Sequence, residues 1–176
     1  MDNNIILIGF MGCGKSSLGV RLSYRMRRTL ADTDKIIERR KRMAVSEIFD
    51  KLGEEAFRQM ETQCLERLLV RKEPQVIAVG GGLPVREQNQ ELLKKLGTVI
   101  YLRATAETVC ERLAYDNTRP LLQGENPEEK VRKLMKEREG IYESVADYMV
   151  DTDGRNVDEI ADEVLGYFSN LPKLRK

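Results

Sequence analysis

The run Gly9-Phe10-Met11-Gly12-Cys13-Gly14-Lys15-Ser16 sets the tightest limit on how this 176-residue chain folds. The pattern G-x-x-x-x-G-K-[ST] recurs by chance, so its flanks carry the meaning. Ile5–Ile8, immediately before it, reads as a buried strand. Ser16–Met26, immediately after, reads as a helix with Leu18, Leu22 and Met26 at four-residue steps. Strand, glycine loop and helix in that order curl the backbone so that successive N–H groups point inward, at the positive end of the helix dipole. Such a cradle holds phosphate. Lys15 is placed to reach β- and γ-phosphate oxygens, and the Ser16 hydroxyl to ligate Mg²⁺. Cys13 lies in the loop without a base beside it and reads as a small spacer.

Beyond the loop, short apolar runs alternate with longer amphipathic stretches, the pattern of an α/β domain on a mainly parallel sheet. Strands are expected at Asn4–Ile8, weakly at Thr29–Ala31, and at Gln75–Val79, Thr98–Leu102 and Tyr148–Val150. Gly53–Arg71 carries Ala56, Met60, Cys64 and Leu68 at helical spacing, with Phe57, Leu65 and Leu69 widening the stripe. A last helix opens on Asn156 and Glu159, spaced as a capping box, and stops before Pro172. Tyr115–Asn126 breaks the rhythm with Asp, Asn, Pro and Gly and no period. It reads as a long loop, either a lid over a site or a plain surface excursion. Residues 1–176 together fit one domain.

Composition narrows the chemistry. Histidine is absent, which removes histidine bases, Ser-His-Asp triads and His-ligated metals. Cys13, Cys64 and Cys110 lie scattered without CxxC spacing, against a disulfide framework or a zinc site and in keeping with a reducing compartment. Thirty basic residues against 29 acidic leave a net charge of +1, so no strong field marks a nucleic-acid or membrane binder. The residues ahead of Ile5 carry no basic stretch, and the apolar run there is far short of a membrane span. A cytoplasmic location is expected. No N-K-x-D guanine-reading motif occurs; Asp50-Lys51-Leu52-Gly53 matches D-x-x-G by letters but follows Ile48-Phe49 in a segment that reads helical.

The remaining features converge on a second site. Asp32-Thr33-Asp34 follows the weak second strand, where doubly wound sheets bind ligands. Two acids two residues apart can divide labour, one toward Mg²⁺ and one toward a substrate hydroxyl; they are also good helix caps, and position 33 or 34 is able to do both. Val79-Gly80-Gly81-Gly82 ends the third strand with three glycines, leaving either room for a ligand to approach the backbone or a flexible connection. In the helix expected over Pro127–Glu143, Val131, Leu134, Met135, Ile141 and Tyr142 define the apolar face, and Arg138 falls on that same face. An inward charge is costly unless an anion pairs with it, and either a protein or a substrate carboxylate would serve. Arg58 has Glu61 three residues later, spaced as a helix-surface ion pair.

In order and spacing these residues resemble the shikimate kinases over nearly the whole chain. The matching stretches are Gly9–Gly19, Asp32–Glu38, Glu47–Glu61, Gly80–Gly82, Thr118–Leu122 (TRPLL) and Arg138–Tyr142 (REGIY). The resemblance implies a three-layer, nucleoside-monophosphate-kinase-like P-loop NTPase fold with a five-stranded parallel sheet in order 2-3-1-4-5. A mobile lid near 115–126 and an acceptor-binding helical segment near 34–61 go with it. It implies ATP-dependent phosphorylation of shikimate to shikimate 3-phosphate by one chain acting as a monomer, with no nucleic-acid or membrane partner. Gly12, Cys13, Gly14, Lys15, Ser16 and Ser17 would bind ATP, with Arg112 and Arg155 flanking adenine and the lid residue Arg119 closing on the phosphates. Ser16 and Asp32 would hold Mg²⁺. Asp34 would bind the ring hydroxyls and orient or deprotonate the attacking one, Arg58 and Arg138 would grip the carboxylate, and Gly80 and Gly81 would offer backbone contact. Lys15, Asp34 and Arg119 are thus the implied catalytic set. A related kinase of gluconate or a nucleotide, and a non-catalytic nucleotide-binding module, are the alternatives. One departure stands out: the family commonly turns on a glycine between Glu38 and Ser46, where this chain has Arg42-Met43-Ala44.

Overall fold

The first strand, β1 (Asn4–Ile8), lies at the centre of the molecule, with Ile5, Ile6, Leu7 and Ile8 all fully buried. A strand apolar on both faces needs cover on both, which a parallel sheet between two helical layers supplies. The computed structural model, which describes residues 3–114 and 126–170, has that arrangement. Five parallel strands run in the order β2-β3-β1-β4-β5, where β2 is Thr29–Asp32, β3 Gln75–Ala78, β4 Gly97–Arg103 and β5 Tyr148–Asp151. Ile6 sits opposite Ile77 on one side and Val99 on the other, so the sheet's middle is continuous aliphatic core.

The helices are α1 (Lys15–Met26), α2 (Thr33–Lys41), α3 (Val45–Leu52), α4 (Glu54–Leu69), α5 (Glu87–Leu96), α6 (Ala106–Leu113), α7 (Pro127–Val145) and α8 (Val157–Asn170). The chain leaves β1 toward one edge of the sheet and leaves β3 toward the other. The carboxyl ends of β1 and β3 therefore border the crevice where the connections diverge, the usual ligand site of such sheets. No helix among the described residues is long and apolar enough to cross a membrane. The segment 115–125, which carries most of the expected lid and Arg119, lies outside the described residues.

Local chemistry sets the element ends. Asn156 Oδ1 accepts from the Asp158 and Glu159 N–H groups, both at 3.0 Å, while Glu159 Oε2 accepts from Asn156 N–H at 2.9 Å, the reciprocal box read from the sequence. Asp50–Leu52 is helical, as expected of a chance D-x-x-G match. The cap of α2 is a correction. It is neither position 33 nor 34 but Asp32, whose Oδ1 accepts from Lys35 N–H at 3.1 Å, because β2 runs one residue further than expected and leaves residue 32 half in the helix.

Arg42 ends α2 in the left-handed region, at φ 55°, and its N–H bonds the Glu38 carbonyl. The turn where the family commonly has glycine thus keeps a glycine-like conformation on a side chain that disfavours it by roughly 1–2 kcal/mol. Arg42→Gly should stabilise the fold by about 0.5–1 kcal/mol, the gain being reduced by the freer unfolded chain. Urea denaturation showing a loss of stability would contradict this account of the turn.

Candidate active site

Two cavities flank the loop that follows β1, one on the side of β4 and β5 and one on the side of β3. The first, of about 410 Å³, is lined by the loop residues Gly12–Ser17 and by Arg112, Thr152 and Arg155. Gly14, at φ 97°, precedes α1 in a conformation that an L side chain rarely adopts, and this aims the first helical N–H groups into the cavity. Lys15 Nζ donates to the Gly9 and Phe10 carbonyls at 2.8 and 2.7 Å, with Cys13 Sγ at 3.6 Å. An ammonium has three N–H donors, and the third meets only the weakly accepting sulfur of Cys13, which an anion in the cradle would displace. Cys13 is buried behind the loop, consistent with a spacer.

Arg112 donates to the carbonyls of Gly12 and Thr152 at 3.2 and 3.3 Å, tying α6 to the loop and to the turn after β5. Arg155 is fixed by Glu163 Oε2 at 2.6 Å and by the Asp151 and Glu159 carbonyls. The two expected base-flanking arginines therefore line one cavity with the loop. Ser16 Oγ donates to Asp32 Oδ2 at 3.4 Å. The two acids at and just after the end of β2 diverge: Asp32 turns to the phosphate loop, while Asp34 turns to the second cavity.

That second cavity, of about 60 Å³, is lined by Asp34, Phe57, Arg58, Glu61, Arg138 and the glycines at 80–82, among others. The glycine triplet is closely packed by the protein itself, by side chains at Gly80 and Gly82 and by backbone at Gly81. A Cβ on Gly80 would stand 2.6 Å from Asp34 Oδ1 and 2.7 Å from Glu61 Oε1, and one on Gly82 would overlap the Arg58 guanidinium. Gly81 faces the phosphate loop, where a Cβ would come within 3.2 Å of Met11 N and 3.3 Å of the Gly9 carbonyl. The stretch is a tight junction, not a slack connection. Its polar groups are largely engaged, since Gly80 N–H donates to Thr33 Oγ1 at 3.0 Å and the Gly81 carbonyl accepts from the Tyr142 hydroxyl at 2.6 Å.

Arg138 lies at the centre of the buried stripe of α7, between Val131 and Tyr142, and is 9% exposed. Its guanidinium stands over the Phe10 ring at 5.8 Å, and Nη1 is buried with no hydrogen-bond partner among the described residues. No described carboxylate forms an ion pair with it. Of the two partners weighed from the sequence, a protein carboxylate is thus not supplied by the described residues.

Arg58 is a different case and corrects a reading. Its pair with Glu61, at 2.8 Å, is not on the helix surface: the Glu61 side chain is fully buried and that of Arg58 is 12% exposed. Burial pushes the Glu61 carboxyl up to about 7 against the opposing pull of Arg58, and the neighbouring Asp34 raises it further. Sequence reasoning missed Glu61 as a site residue. The signal was present, because Glu61 falls four residues after Phe57 and four before Leu65 on the inward stripe of α4.

Comparison with known proteins gives the family and the fold. A family model described as shikimate kinase matches residues 11–168. A shikimate kinase of Thermodesulfovibrio yellowstonii is 42% identical over 168 residues, 96% of either chain. A solved structure of shikimate kinase from Acinetobacter baumannii in complex with shikimate superposes with a TM-score of 0.91 at 40% identity, covering 98% of this chain and 96% of that one. A gluconokinase from Sinorhizobium meliloti aligns at a TM-score of 0.60 and 16% identity over 97% of this chain and 93% of its own, a likeness of fold alone.

The buried carboxyl has a thermodynamic consequence. In the unfolded chain Glu61 ionises near 4.5, whereas in the fold it keeps its proton until about 7. Between those values folding takes up a proton, so stability falls as pH rises, and above 7 the loss is complete. Relative to Glu61→Gln, the protein should lose on the order of 3 kcal/mol between pH 4.5 and 7. Paired urea titrations giving a pH-independent difference would contradict this.

Proposed function

The chain belongs to the shikimate kinase family, and from that premise we propose that its two cavities move the γ-phosphoryl group of ATP onto a hydroxyl of shikimate to give shikimate 3-phosphate. The observation that carries the acceptor assignment is the buried, unbonded Nη1 of Arg138, which calls for a small anion at the end of a pocket that also holds Asp34. A guanidinium and a carboxylate on opposite walls suit a molecule with an acid at one end and alcohols at the other.

In this reading Gly12–Ser17 and the third N–H of Lys15 hold the phosphates, while Arg112 and Arg155 wall the base side of the nucleotide cavity. Arg58 and Arg138 grip the acceptor's carboxylate, and Glu61 keeps Arg58 aimed. Gly80 and Gly81 lend their bare backbone to that wall, and the acceptor-binding segment is residues 34–61. Asp34 stands where the ring hydroxyls arrive and orients one for attack, taking its proton as the bond to phosphorus forms. Phosphoryl transfer asks chiefly for alignment and for positive charge at the transferring group, which the loop amides, Lys15 and the lid's Arg119 supply. A closed lid over 115–126 would exclude water from that group.

Ser16 Oγ and Asp32 Oδ2 are hard oxygen donors 3.4 Å apart beside the phosphate cradle. They fit Mg²⁺, which takes one or two protein oxygens with phosphates and water rather than a full protein cage. Among the described residues no cluster of three acidic, cysteine or histidine ligands offers such a cage. When bound there, the ion neutralises charge on the phosphate oxygens. Both halves of the site come from one chain, so a monomer suffices, and three free cysteines suit the cytoplasm.

A coupled ADP-release assay with shikimate, gluconate and a nucleoside monophosphate tests the reading: shikimate should support turnover well above the other two, and equal or greater turnover with either would overturn it. Asp34→Asn should lower kcat at least ~10²-fold, and a near-normal kcat would leave the hydroxyl without its acceptor. Arg138→Leu should weaken shikimate far more than ATP in calorimetry, while equal loss of both would remove the carboxylate assignment.

A further inference from the structure

Arg58 is bound by more acid than its orientation requires. Nη1 donates to Glu61 Oε2 at 2.8 Å, while Nε and Nη2 both donate to Glu54 Oε1, at 3.2 and 2.8 Å. These acids differ in kind. The Glu61 side chain is fully buried and cannot leave; that of Glu54 is 53% exposed, on the first turn of α4. A guanidinium presents edges that each match one carboxylate, and Glu54 holds the Nε–Nη2 edge from the solvent side.

Glu54 also lines a cavity of about 390 Å³ together with Arg58, Gly82, Arg86 and Arg138. This cavity shares Arg58, Gly82 and Arg138 with the acceptor pocket, so it is the pocket's continuation on the guanidinium side. Arg86 there is held by Glu55, which leaves Glu54 as the acid that faces Arg58 from the mouth. A carboxylate arriving between Arg58 and Arg138 enters the cavity that Glu54 also lines.

We propose that Glu54 is a placeholder carboxylate: it holds the outer edge of Arg58 and gives way to the carboxylate of the acceptor. The inference rests on the reading of Arg58 and Arg138 as the acceptor's carboxylate grip. Glu54, the half-exposed partner, regains water when it leaves, which offsets part of the lost ion pair, whereas Glu61 stays and holds the guanidinium in place. The arrangement separates acids from their neutral analogues. An acidic acceptor replaces the bonds it breaks, while an ester leaves Glu54 seated and finds Arg58 occupied.

The test is titration calorimetry of the full-length enzyme with shikimate and with its methyl ester, at low and high salt, for wild type, Glu54→Gln and Arg138→Leu. Glu54→Gln should bind shikimate about two- to fivefold more tightly, with the gain shrinking at high salt and the ester's affinity unmoved. A merely structural role for Glu54 would move acid and ester alike, and that result overturns the inference. Unchanged or weaker shikimate binding in Glu54→Gln, with Arg138→Leu still weakening it, also overturns the inference but leaves the carboxylate grip standing. Normal shikimate binding by Arg138→Leu brings down the grip itself, and the placeholder with it.

Discussion

A guanidinium at 9% exposure, with one nitrogen buried and unbonded, is the constraint around which the acceptor half of this protein is arranged. Burying an unmatched charge is costly, and the chain meets the cost by several local concessions. The Phe10 ring lies beneath Arg138, placing a π face under the cation. The Tyr142 hydroxyl, one turn on, bonds the Gly81 carbonyl and so ties the arginine's helix to the glycine junction. Burial drives the Tyr142 phenol well above its usual range, so it remains a neutral donor.

The glycine junction couples the two cavities. Gly81 packs on the phosphate loop, while Gly80 and Gly82 accept the side chains of Asp34, Glu61 and Arg58. The acid that faces the acceptor's hydroxyls and the loop that faces the nucleotide are thus registered against the same three residues. Because these stand at the carboxyl end of β3, next to β1, their position is set by the most buried part of the sheet. A site that must align two substrates benefits from such stiffness.

How much of this was legible in the sequence depended on whether the cause was local. The aliphatic runs of β1, β3 and β4 and the capping box at Asn156–Glu159 announced themselves, since each is specified by neighbours in the chain. Arg138 was legible because it interrupts an apolar period that short-range geometry defines. Glu61 was not, because a glutamate three residues after an arginine looks like a surface pair. Its place on the inward stripe of α4, between Phe57 and Leu65, was the signal that this pairing masked. Distance along the chain hid why the triplet is tight and not a slack connection. Its glycines make room for side chains from other elements, which no local pattern reveals. Asp32, in turn, proved to be both cap and phosphate-loop partner because β2 runs one residue further than its apolar pattern indicated.

The most direct test of the central claim is a crystal structure of the enzyme with ADP and shikimate bound. The account predicts a shikimate carboxylate oxygen within about 3.2 Å of Arg138 Nη1, the other oxygen on Arg58, and a ring hydroxyl on Asp34. A carboxylate bound elsewhere, with Arg138 Nη1 still unbonded or the guanidinium turned toward solvent, would contradict it.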